Sequence, residues 1–219
     1  RSYSDVYLRE EVQAEALVRD VGGYARLLDL VAASSGRIIN LHALSGDAGV
    51  SYETARRYLD ILEDTLVLFR IPAWSGSDRA SFITHPKILL FDLGVRNALL
   101  RRPLDRPLDD ERGLLLEHFV GLELRRRCGG LWPEAKLWHV RTRRGAEIDY
   151  VLEAGRELWA IEVKAARSAT ERDARALAAF AERTSRVTRR IVVFLGPRRQ
   201  QLNGAEALPL AEFLGELPA

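Results

Sequence analysis

Glu162 and Lys164 stand two residues apart in the run Leu158-Trp-Ala-Ile-Glu-Val-Lys164, and Asp149 lies thirteen residues before Glu162. In a strand, side chains two apart leave the same face, so Glu162 and Lys164 point one way while Ile161 and Val163 point the other. The turn residues Glu153-Ala-Gly-Arg156 fold the segment carrying Asp149 back beside Glu162. Two carboxylates and one ammonium therefore converge. Hard divalent ions such as Mg²⁺ or Mn²⁺ take carboxylate and carbonyl oxygens and keep several waters; Asp149, Glu162 and the carbonyl of Val163 form such a metal-ligand set. An ammonium beside it, that of Lys164, orients or helps to deprotonate an attacking water and offsets charge building on a phosphate. The chemistry this combination suits is hydrolysis of a phosphodiester. The bland alternative is a salt-bridged cluster at a sheet edge.

Lysine itself is informative here. Of 33 basic residues only Lys87, Lys136 and Lys164 are lysines; where charge alone suffices this chain uses arginine, so a compact ammonium at position 164 is a departure from its habit.

Three strands are expected to carry the cluster, at 136–141, 146–152 and 158–164. A helix over 111–127 precedes them. After them come a helix from Thr170 to about Arg183, with Asp173 as capping-box partner, a short buried strand over 191–195, and a strand end and helix over 208–217. The order helix, three strands, helix, strand, helix predicts a mixed sheet flanked by helices. The stretch 101–110, with two prolines and alternating charges, reads as a linker between this domain (111–219) and an N-terminal one (1–100).

The N-terminal part shows helical periodicity over 6–18 and 24–33, split by Gly22-Gly23, then a short helix from Asn40 ending near Gly49 and a second capped by Ser51 and running to about Asp64. That is a helix-turn-helix pattern. Leu41, Leu44, Val50, Thr54, Tyr58, Leu59 and Leu62 are its expected core, and Tyr52, Glu53, Arg56 and Arg57 its outer face. Extended segments over 66–72 and 87–92 around a turn-rich stretch suit a winged helix, with 73–82 as the wing. Arg56, Arg57 and the wing residue Arg79 are candidate DNA contacts; packing or protein contact is the alternative use of such a domain. Arg143 and Arg144, in a denser basic set with Arg125, Arg126, Arg127 and Arg141, are candidate phosphate contacts or part of a solvated charged face.

Composition sets the frame. At 219 residues and 47% apolar the chain can bury the cores of two modest domains. Its longest apolar runs fall far short of the roughly 20 residues that span a bilayer, so no membrane partner is expected. One cysteine, Cys128, makes no internal disulfide, and the cytoplasm is the default compartment. A net charge of +2 is no global basic field, so nucleic-acid binding must rest on local patches. His42, His85, His118 and His139 are too scattered to form a zinc-type set.

Asp149 followed by Glu162-Val-Lys164 resembles the signature of the PD-(D/E)XK nucleases, with Ile148 where the nominal motif has proline. The resemblance implies a restriction-endonuclease-like core and an upstream acid on the preceding helix: Glu117, with Glu123 competing for the role. Leu116-Glu-His-Phe-Val120, Gly145-Ala-Glu-Ile-Asp149 and Ile161-Glu-Val-Lys164 further resemble the C-terminal region of a family of bacterial and archaeal AAA-type ATPases, which couples a winged helix to this nuclease-like fold. An α/β chain follows from that resemblance, in which a helical winged helix-turn-helix domain precedes the nuclease-like one. So do DNA and an upstream ATPase domain as partners, with self-association left open. No methionine and no Gly-rich phosphate-binding loop occur in the sequence, so a fragment without an ATP site is expected. The activities implied are metal-dependent action on DNA or, since many such scaffolds outlive their chemistry, a catalytically inactive regulatory module that binds DNA or protein.

Overall fold

A computed structural model describes residues 20–74, 82–102 and 108–217. These form an α/β structure with seven α-helices, a two-stranded sheet and a mixed six-stranded sheet. By contacts the chain divides into two compact units: the residues up to Arg70 together with His85–Asp109, and Ile71–Thr84 together with Asp110–Ala219.

Among the described residues the first unit opens with α1 (Val21–Ser34), whose N-cap Asp20 accepts a hydrogen bond from Gly23 N at 2.8 Å. The Gly22-Gly23 pair therefore sits inside the first helical turn, where the sequence reading had it break the helix. A Cβ at Gly23 would run into the Asp20 carboxylate and come within 2.7 Å of Val50 Cγ1, so the glycine is there for close approach. The expected helix over 6–18 lies outside the described residues.

In α2 (Leu41–Ala48) the Asn40 side chain caps the backbone N–H groups of His42 and Ala43, and Gly49 ends the helix at φ 67°. Ser51 Oγ then accepts from Thr54 N at 3.1 Å and starts α3 (Tyr52–Asp64). Leu44, Tyr58, Leu59 and Leu62 are buried, Leu41 and Val50 pack against them, and Tyr52, Glu53, Arg56 and Arg57 are exposed, as the apolar spacing requires. Strands β1 (Leu68–Ile71) and β2 (Lys87–Leu90) pair, and α4 (Leu93–Leu99), capped by Asp92, follows.

The second unit begins with α5 (Arg112–Gly129), entered through a 3₁₀ turn at Asp109–Glu111. Then come β3 (Lys136–Arg141), β4 (Glu147–Ala154), β5 (Glu157–Lys164), α6 (Arg175–Arg183), β6 (Arg189–Phe194), β7 (Gln200–Leu202), β8 (Ala205–Pro209) and α7 (Leu210–Glu216). Strand order is β3-β4-β5-β6-β8-β7; β3, β4 and β5 form an antiparallel meander, and β6 runs parallel to both β5 and β8. The hairpin partner β7 was not expected. It is three residues long and polar at Gln200 and Gln201, too short for an alternating pattern to register.

One expectation changes. Thr170 donates through both N and Oγ1 to Asp173 Oδ2, at 2.8 and 2.7 Å, but this closes a turn and the regular helix starts only at Arg175. The expected wing, 73–82, is described only at its ends. Its described ends run along β3: Trp74 N donates to His139 O and Ile83 N to Arg141 O, each at 2.8 Å, while His139 N donates to Pro72 O. The physical cause is the free edge of β3, whose outward N–H and C=O groups need partners. The strand bulges between Trp138 and Val140, and His139 at that bulge is the residue that pairs outward.

Candidate functional site

The row Leu158, Ala160, Glu162, Lys164 of β5 occupies one face of the sheet. Leu158 and Ala160 pack in a core with Leu177 and Phe180 of α6, and Glu162 and Lys164 continue that row toward the end of the strand. The antiparallel register sets Tyr150 opposite Ile161 and Val151 opposite Ala160. One further step places Asp149 opposite Glu162. There the Asp149 side chain takes over from the ladder: its Oδ2 accepts a hydrogen bond from Val163 N at 2.7 Å. Asp149 is 8% exposed and Glu162 9%, so both carboxylates are held in a poorly solvated pair.

Lys164 Nζ lies 2.5 Å from Glu162 Oε1, while Glu162 Oε2 is buried without a hydrogen-bond partner. Burial first, and then the Asp149 charge, push the Glu162 carboxyl up to about 8; Lys164 pulls it down only partly, and Glu117 adds to the rise. Burial alone would lower the Lys164 ammonium, yet Glu162 and Asp149 together hold it above its ordinary value.

Glu117 of α5 is electrostatically coupled to Glu162. Its backbone carbonyl accepts from Tyr150 Oη at 3.0 Å, which ties α5 to β4 beside Asp149. Tyr150 is buried, and desolvation followed by the charges of Glu117 and Asp149 drives its hydroxyl well above the usual range. It was missed in the sequence, although it adjoins Asp149; an aromatic in a strand reads simply as core. Glu123 is otherwise engaged. It bridges to Arg127 at 2.6 Å and Arg126 at 2.9 Å, and these pairs, with Arg127 foremost, lower its carboxyl. Asp173 also acts on Lys164.

The structure therefore brings together Asp149, Glu162, Val163, Lys164 and Glu117. Among the described residues no group of three or more His, Cys, Asp or Glu side chains forms a ready-made metal cage. What the site offers a hard cation is two adjacent carboxylates, with the Val163 backbone at the same point of the strand. Arg143 and Arg144 are exposed on the turn joining β3 to β4. Arg56 and Arg57 are exposed on α3 of the other unit, with Arg56 paired to Glu53 at 3.0 Å; Arg79 lies outside the described residues.

Beside the β3–β4 turn the second unit also holds a pocket of about 420 Å³. Phe82, Val140, Ile148 and Phe180 line it with apolar surface, and Arg143, Arg144 and Arg183 also line it.

Residues 112–213 match the family described as a domain of unknown function, DUF4143. Residues 1–106 match a second, likewise described as a domain of unknown function, DUF8612. The two matches meet between 106 and 112. The uncharacterized proteins Rv2008c of Mycobacterium tuberculosis and Mb2031c of Mycobacterium bovis are each 29% identical over 143 residues, which is 64% of this chain and 31% of the relative. The chain thus spans about a third of the length of these relatives. No solved structure matches it. No described helix is long and apolar enough to cross a membrane.

Proposed function

We propose that the second unit is a metal-dependent, DNA-acting module of the PD-(D/E)XK kind that hydrolyses phosphodiesters. One observation carries this reading: Asp149 and Glu162, both buried, converge from adjacent strands with Lys164 in contact with Glu162. The order α5-β3-β4-β5-α6-β6, with β6 parallel to β5, agrees with it. Against a structural salt bridge stands the electrostatic arrangement. Two carboxylates buried together repel, and one ammonium offsets only part of that cost; Asp149 satisfies Val163 N, but Glu162 Oε2 has no partner, so a fold selected for stability alone has little reason to keep Glu162.

The residues fit Mg²⁺ or Mn²⁺. Glu162 Oε2 is a buried acceptor with no partner, and Asp149, Glu162 and the Val163 carbonyl are the oxygen donors such ions prefer. A divalent ion held there would lower the pKa of a bound water and withdraw charge from the phosphate. The chain's own residues do the rest. Lys164 donates a hydrogen bond to one lone pair of the attacking water, leaving the other toward phosphorus, and neutralises developing negative charge. Glu117, whose charge acts on Glu162, would accept a hydrogen bond from that water. Asp149, anchored on Val163 N, keeps the two strands at fixed spacing, and Arg143 and Arg144 hold the phosphate backbone.

The first unit, with its capped α2 and α3 followed by β1 and β2, reads as a helix-turn-helix domain of winged type that presents Arg56 and Arg57 to DNA. An upstream ATPase domain in the full-length protein and a cytoplasmic setting complete the proposal. The test is cleavage of supercoiled and branched DNA with Mg²⁺ or Mn²⁺. Nicking that Asp149→Asn and Lys164→Ala both abolish supports hydrolysis; DNA bound but uncut by the native chain favours a regulatory binding module.

A further inference from the structure

The pocket between the β3–β4 turn and α6 shares Arg143 and Arg144 with the phosphate contacts above, but its apolar wall is not used by that chemistry. Its apolar wall includes the rings of Phe82 and Phe180, 8% and 4% exposed, beside Val140 and Ile148. Its volume of about 420 Å³ lies within the roughly 300–1,000 Å³ typical of ligand sites.

Its charge is lopsided. Arg143, Arg144 and Arg183 contribute to the lining and are exposed, and among the described residues none of them is held in an ion pair or hydrogen bond. The one acid in the lining, Glu147, is already paired with Arg141 at 3.4 Å. An occupant must therefore combine a flat or apolar body with anionic oxygens. Ile148 also adjoins Asp149 in β4, so the pocket and the carboxylate pair are carried by the same strand.

We infer that this pocket receives one unpaired nucleotide, its base against the phenyl rings and its phosphate on the arginines. The inference rests on reading the unit as DNA-acting and adds the substrate class: DNA with a single-stranded end or a splayed base, rather than a continuous duplex. Base–aromatic stacking is tolerant of sequence, and guanidinium forks suit phosphate oxygens. A base still paired in a duplex cannot reach the rings without leaving its stack, so a continuous duplex gains only the phosphate contacts.

The test measures binding to a short duplex with a single-stranded overhang carrying 2-aminopurine at its last position, to the same duplex blunt-ended, and to free AMP. The full chain is used with EDTA present, so that nothing is cut. The overhang should bind about tenfold more tightly than the blunt duplex, with 2-aminopurine emission falling as the base stacks. Ala179→Phe, which fills the pocket from an exposed position on α6, should bring the overhang-to-blunt ratio near one. Arg183→Ala should weaken overhang binding by about tenfold, the usual effect of losing a charge-assisted contact. Competition by AMP at similar affinity would retain the nucleotide site and make a free nucleotide its source. Equal binding of both duplexes with unchanged emission overturns the inference, as does a preference that survives both pocket variants. Overhang preference without Mg²⁺-dependent cutting would sink the hydrolytic reading alone, and cutting without preference would sink the pocket alone.

Discussion

Asp149 Oδ2 accepts the backbone N–H of Val163 at 2.7 Å, so a side chain of β4 stands where a strand carbonyl would otherwise meet β5. The same carboxylate that is positioned to hold a cation also satisfies a buried donor. Two substitutions separate these roles. Asp149→Asn keeps an acceptor oxygen and should leave the melting temperature within a few degrees of native while abolishing metal-dependent cleavage. Asp149→Ala leaves the N–H unpaired at a cost of about 1–3 kcal/mol, visible in thermal denaturation. Equal melting temperatures for the two would show that the hydrogen bond contributes little.

Glu162 gives a pH signature. Its carboxyl moves from the ordinary 4.5 to about 8 on folding, chiefly through burial and then through Asp149. The folded chain therefore binds a proton there that the unfolded chain has released between those values. By linkage, this group's contribution to stability is fully present below about pH 4.5, declines as pH rises, and is lost above about 8. Melting temperatures measured from pH 5 to 8.5 should fall more steeply for the native chain than for Glu162→Gln. Metal titrations should show the complement, with Mg²⁺ affinity rising over the same range as the proton leaves; parallel melting curves for the two proteins would refute the assignment.

Glu117 and Glu123 should part company. Glu117 acts on Glu162, whereas Glu123 bridges Arg126 and Arg127. Glu117→Gln should lower the cleavage rate by about tenfold or more with little change in stability. Glu123→Gln should leave cleavage within a factor of two and lower stability by roughly 1 kcal/mol, since Arg127 is largely buried and loses its charged partner while keeping the Glu123 carbonyl. The reverse pattern in rate measurements would reassign the upstream acid.

Arginine contacts to phosphate should show in salt dependence. Arg143→Ala and Arg144→Ala should each reduce the slope of log K against log salt by about 1, in anisotropy titrations with duplex DNA. Arg56→Ala and Arg57→Ala should do likewise if α3 also lies against the backbone, and unchanged slopes would remove whichever pair shows none.

Gly23→Ala tests the packing of α1. Alanine favours helices, but the added methyl would meet the Asp20 cap and Val50. A loss of about 1–3 kcal/mol is expected from the forced shift, read by denaturant unfolding; a gain in stability would show that the cap can move aside without cost.

Local chemistry in the sequence determined a good deal. Ser51, Asn40 and Gly49 bound their helices by hydrogen bonds made within a few residues, and such contacts are legible because they need no distant partner. The alternation through β5 likewise settled which face Glu162 and Lys164 share, since a strand has period two wherever it lies. The β4–β5 hairpin followed from the short turn at Glu153-Ala-Gly-Arg156. Other features depended on residues far apart in the chain. Whether Glu117 or Glu123 faces the site turns on which side of α5 meets the sheet, and its weak apolar periodicity left that open. Pairing of Ala73 and Phe82 with β3 answers an unpaired strand edge that has no mark in either segment. Tyr150, the pocket between the β3–β4 turn and α6, and the raised Glu162 carboxyl arise only when separate elements exclude water together. Residue types and spacing specify which groups are available; desolvation and mutual charge, which exist only after packing, decide what those groups can do.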